Sequence, residues 1–93
     1  NMRIKENFIL KQVAGSYIVL PSGAATLDFN GMLTLNESGV LLWNTLKAGC
    51  DISGLVDALT KEYNVTRDDA EKDINEFLNK LADSGCIEGD IDE

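Results

Sequence analysis

The chain has no histidine, one proline and one tryptophan, and only 8 basic residues against 16 acidic ones over 93 positions. Each shortage excludes something. Without histidine there is no Ser–His or Cys–His catalytic pair and no imidazole ligand for a metal. A formal charge of −8 opposes binding to a phosphate backbone. The longest apolar run, Val40-Leu41-Leu42-Trp43, is far too short to span a bilayer. No P-loop, dinucleotide fingerprint or zinc-protease signature is present, and Gly23 and Gly31 are not followed by Lys-Ser or Lys-Thr. There is no internal repeat or low-complexity stretch. The length suits one domain.

Cys50 and Cys86 are isolated, with no C-x-x-C pair. This disfavours a zinc site. Two reduced, partly buried thiols are expected, with a disulfide as the alternative. Neither has a basic run nearby to lower its pKa, so no nucleophile is assigned. Asn1 precedes Met2 and is read as a cloning remnant, giving one domain over residues 2–93. No signal segment follows, so a cytoplasmic protein is expected.

Charge is divided unevenly. Residues 1–50 carry a net +1 and residues 51–93 a net −9. The acidic half is either a solvated surface that favours solubility or one that attracts a basic partner.

The first half reads as strands. Phe8 to Val13 and Tyr17 to Leu20 flank a turn at Ala14-Gly15-Ser16, and the second run stops at Pro21. Thr26–Phe29 and Met32–Leu35 flank Asn30-Gly31, which suits either a tight hairpin or a bulge in one longer strand.

The second half reads as three helices. Asn36 caps the first, with Val40, Trp43 and Leu46 on one face and Gly49 at its end. Ile52, Leu55, Val56, Leu59 and Tyr63 form the stripe of the second. Thr66-Arg67-Asp68-Asp69 resembles a capping box for the third, whose stripe is Ala70, Ile74, Phe77, Leu78 and Leu81, with Gly85 at its end. The segment from Ile87 to Glu93 is expected to fray. Strands followed by helices exclude a doubly wound fold. The expectation is α+β: a winged-helix-like domain of three or four short antiparallel strands followed by three α-helices.

Asp68-Asp69 is explained by helix capping, the tail acids Asp90, Asp92 and Glu93 by solvation, and Trp43 by core packing. Two features could carry binding. A small sheet leaves an edge that can take an extended peptide as an extra strand. The third helix has an apolar stripe bordered by Asp73 and Lys80.

Several pieces of sequence, in order, resemble the PqqD family. They are Phe8-x-Leu10 with Val13-Ala14-Gly15, Tyr17-Ile18-Val19-x-Pro21, and Phe29 through Gly39 with its core Gly31-Met32-Leu33-Thr34-Leu35-Asn36. Leu42-Trp43, Glu62-Tyr63-Asn64-Val65 and Phe77-Leu78-x-x-Leu81 before Gly85 complete the set. Ser22 to Phe29 departs from the founding member as an insertion, so the resemblance does not assign the pyrroloquinoline quinone pathway.

The resemblance implies a non-catalytic peptide chaperone without a cofactor or metal. It would bind the leader of a ribosomally made precursor peptide by strand addition and present it to a modifying enzyme, commonly a radical-SAM protein. The leader would lie beside Met32, Leu33, Thr34 and Leu35, with Phe77 and Leu81 flooring a pocket and Asp73 or Lys80 setting register. The rival readings are a winged-helix DNA-binding regulator and a dimerisation module that uses the same edge. The first is opposed by six acids against three bases on the third helix. Neither nucleic acid nor membrane is an expected partner.

Overall fold

A computed structural model describes residues 1–23 and 33–89. The order is β1 (Met2–Ile4), β2 (Phe8–Val13), β3 (Ser16–Pro21), β4 (Leu33–Leu35), α1 (Glu37–Lys47), α2 (Ile52–Glu62), α3 (Arg67–Asp83) and β5 (Ile87–Gly89). The architecture is α+β, as the sequence predicts. The Asn30-Gly31 turn, Thr26–Phe29, Met32 and the tail acids Asp90, Asp92 and Glu93 lie outside the described residues.

Two antiparallel sheets are present among the described residues: β2-β3-β4, and a pair made by β1 and β5. The second sheet departs from the expectation of a frayed end. Ile87 pairs with Ile4, and the Met2 backbone also bridges Cys50, donating N–H to its carbonyl at 2.8 Å and accepting from its N–H at 2.9 Å. β1 and β5 are thereby tied to the connection between α1 and α2. Met2, Ile4 and Cys86 are buried in the common core.

The β2–β3 turn is tight. Ala14 and Gly15 both have positive φ, +51° and +83°, as a two-residue type I′ turn requires. Only the second of these is a glycine, so Ala14 carries the strain of a left-handed alanine. Gly49 and Gly85 take the left-handed conformation just beyond α1 and α3, as their placement in the sequence predicts.

Each helix is capped by its preceding residue. Asn36 and Asp51 each accept through Oδ1, at 2.8 Å, from the N–H of Gly39 and Gly54, and Thr66 Oγ1 accepts from Asp69 N–H at 3.1 Å. The inner face of the sheet contributes Phe8, Val19, Leu33 and Leu35 to the core. The helices meet it with Leu42, Trp43 and Leu46, with Leu55, Val56 and Leu59, and with the five stripe residues of α3. Trp43 is fully buried, as core packing predicts. Tyr63 is the exception: the chain leaves α2 there in an extended conformation, and the residue is 38% exposed.

Candidate functional site

β4 forms one edge of the three-stranded sheet, and its register decides which backbone groups that edge offers. Ser22 N–H donates to Asn7 C=O at 2.8 Å, continuing the β2–β3 register in which Val13 faces Ser16. Hydrogen-bonded and non-bonded pairs alternate along an antiparallel ladder, so the even-numbered residues of β3 bond to β2. The odd-numbered ones, Tyr17 and Val19, turn to β4, where they face Leu35 and Leu33. Those two leucines therefore spend their backbone groups on β3. Thr34 lies between them with its N–H and C=O directed to the outer edge, where no described strand pairs with it. Pro21 obeys the same parity, because its missing donor costs β2 nothing.

Side chains alternate in the opposite sense. Leu33 and Leu35 point inward and are buried, while the Thr34 side chain is exposed. Beside this edge lies a cleft of about 510 Å³ between β4, the start of α1 and α3. Leu35, Leu42, Leu59 and Phe77 supply its apolar surface. Asp73, Glu76 and Lys80 supply its charged wall. The spacing of Asp73, Glu76, Phe77 and Lys80 is one helical row, so this border of α3 is the one turned toward β4. From Asp73 to Lys80 the row rises about 10 Å, the length of about three residues of extended chain.

Gly39, near the start of α1, is tightly packed, so a side chain there would push its neighbours by a few tenths of an ångström. A Cβ there would stand 3.1 Å from Asn36 Oδ1 and 3.3 Å from Leu35 Cβ. Glycine thus lets the N-terminus of α1 lie directly against β4.

Of the residues singled out in the sequence, Thr34, Leu35, Asp73, Phe77 and Lys80 line this cleft together. Leu33 and Leu81 are both buried in the core and do not line it. Met32 lies outside the described residues. Asn36, Ser38, Gly39, Leu42, Leu59 and Glu76 also line the cleft and were not singled out. The row spacing from Asp73 could have found Glu76.

A second hollow of about 430 Å³ continues the cleft past Asp73 toward Tyr63 and Val65. Asn36, Ser38, Leu59 and Asp73 line both.

The cysteines lie elsewhere. Burial pushes the Cys86 thiol up to about 11, and burial followed by the nearby Asp51 carboxylate raises Cys50. Both are free, and raised thiol pKa values do not favour nucleophiles at neutral pH. Among the described residues, no cluster of three or more Cys, Asp or Glu is placed to hold a metal ion, and no helix is long and apolar enough to cross a membrane.

The family model of coenzyme PQQ synthesis protein D (PqqD) matches residues 9–87, a span that runs from within β2 through α3 and includes the whole cleft. The chain belongs to the PqqD family. Two solved structures share the PqqD-like fold across nearly the full length. One is TbiB1 in complex with the TbiA(beta) leader peptide, 25% identical with a TM-score of 0.74, covering 95% of this chain and 96% of that one. The other is a lasso peptide synthetase B1 complexed with the leader peptide, 24% identical with a TM-score of 0.72, covering 95% of this chain and 98% of that one. No curated protein matches the chain.

Proposed function

We propose that this PqqD-family protein binds the leader segment of a ribosomally made precursor peptide and holds it for a modifying enzyme, without catalysing a reaction itself. The observation that carries this reading is the open edge of β4 above an apolar cleft. Thr34 presents one donor and one acceptor, and the cleft offers Leu35, Leu42 and Phe77 to the inward-facing side chains of an added strand. Two solved structures of the same fold are complexes with leader peptides, and this supports the assignment. A radical-SAM protein in the cytoplasm is the enzyme partner we propose on the PqqD resemblance.

Titrating the 15N-labelled protein with a synthetic leader segment of a ribosomally made precursor peptide tests the reading. Chemical-shift changes are expected at Thr34, Leu35, Phe77 and Lys80. Changes confined to β1, β5 and the α1–α2 connection would show that the peptide binds elsewhere.

A further inference from the structure

The hollow beyond Asp73 has a chemistry distinct from the rest of the cleft. Leu59, Tyr63 and Val65 form its apolar wall, Glu37 and Asp73 its acidic rim, and no lysine or arginine lines it. Neither carboxylate has an ion-pair partner among the described residues. Arg67, the basic residue at the start of α3, instead holds Asp57 at 3.1 Å. Tyr63 is exposed at this hollow although it belongs to the apolar pattern of α2. An exposed tyrosine beside two unneutralised carboxylates is complementary to a cation carried on an aliphatic stem.

On the reading that a leader segment lies along β4, we propose that this hollow takes a lysine or arginine side chain of that segment. The aliphatic stem packs on Leu59 and Val65. The charged head meets Asp73, Glu37 and the Tyr63 ring. Continuity supports a peptide as the occupant: four residues line both cavities, so a chain seated over Phe77 reaches the hollow with its next inward-facing side chain or with the residue just past the strand. The recognised sequence would then be an apolar residue at a fixed short spacing from a basic one. This gives Asp73 of the acidic half, together with Glu37, a role in selectivity.

Selection of mRNA-displayed random peptides on three proteins tests this: the unaltered protein, a Glu37→Gln/Asp73→Asn double variant and Thr34→Pro, each verified as folded by circular dichroism. The unaltered protein is expected to enrich peptides with lysine or arginine at a fixed distance from an apolar residue. The double variant should keep the apolar preference and lose the basic one. One selected peptide, measured by fluorescence anisotropy, should bind the double variant about tenfold more weakly and with less salt dependence. A pool without basic preference, or one whose preference survives in the double variant, overturns the proposal while leaving strand addition intact if Thr34→Pro still reduces capture. Undiminished capture by Thr34→Pro overturns the strand reading on which the proposal stands.

Discussion

Thr34 faces Ile18 across the β3–β4 pair as a non-bonded pair, with its peptide groups turned away from the sheet. Replacing it with proline removes a donor that the fold does not use. Thr34→Pro is expected to weaken leader binding about tenfold, the effect of one hydrogen bond of about 1–1.5 kcal/mol. Thr34→Val, which keeps the N–H and changes only the outward side chain, should bind within about twofold of the unaltered protein, because the lost hydroxyl is a surface change. Calorimetric titration of the pair separates the backbone contribution from the side chain.

Lys80 and Leu81 are neighbours in sequence with opposite roles in the structure. Leu81 is fully buried, so Leu81→Ala should cost about 2–5 kcal/mol in urea unfolding. Lys80 is exposed on the cleft wall, and Lys80→Ala should change stability by no more than about 0.5 kcal/mol. A shift in peptide affinity for Lys80→Ala without loss of stability would identify it as a binding residue.

Ala14 holds a positive φ that L-alanine adopts at a cost. Ala14→Asn or Ala14→Gly should raise stability by about 0.5–1 kcal/mol, the part of the left-handed penalty that these residues avoid. The urea midpoint should rise with an unchanged slope. Peptide affinity should stay constant, because the turn does not line the cleft.

The buried Cys86 thiol is held neutral up to about 11, above its ordinary value of 9.0. The unfolded chain releases that proton first as pH rises, so the folded state binds more protons between those two values. Its contribution to stability is complete below about pH 9 and is lost as pH climbs toward 11. The stability of Cys86→Ala should fall less steeply over that window than that of the unaltered protein, measured by urea unfolding at successive pH values. At neutral pH, iodoacetamide should modify the half-buried Cys50 before Cys86.

The helices were legible in the sequence because each has enough residues to display a period and a cap. Asn36, Thr66, Gly49 and Gly85 mark ends that the structure confirms. The strands β2 and β3 were legible from their apolar runs and the turn between them. β1 and β5 were not. Each has three residues, too few to show alternation, and the partner that makes each a strand lies at the far end of the chain. The cleft was half legible. Phe77 belongs both to the buried stripe of α3 and to the row facing β4, so composition alone could not choose between the two borders of the helix. Leu81 shares the stripe but not the row. Which amide of β4 faces outward depends on register, and register is set by the turn at Ala14-Gly15 together with pairing that no local pattern encodes. Tyr63 fits the helical period and yet leaves the helix, because the chain turns extended at that residue.

The pairing of Ile4 with Ile87 also dictates an order of assembly. The β2–β3 hairpin closes over a two-residue turn, so it can form from a short length of chain. The β1–β5 ladder joins residues more than eighty positions apart and carries the loop-closure cost of nearly the whole sequence. During synthesis it must wait for β5 to leave the ribosome. Until then the backbone of Met2 to Ile4 has no β5 to pair with, and a nascent chain stalled before residue 87 would leave that edge of β1 open.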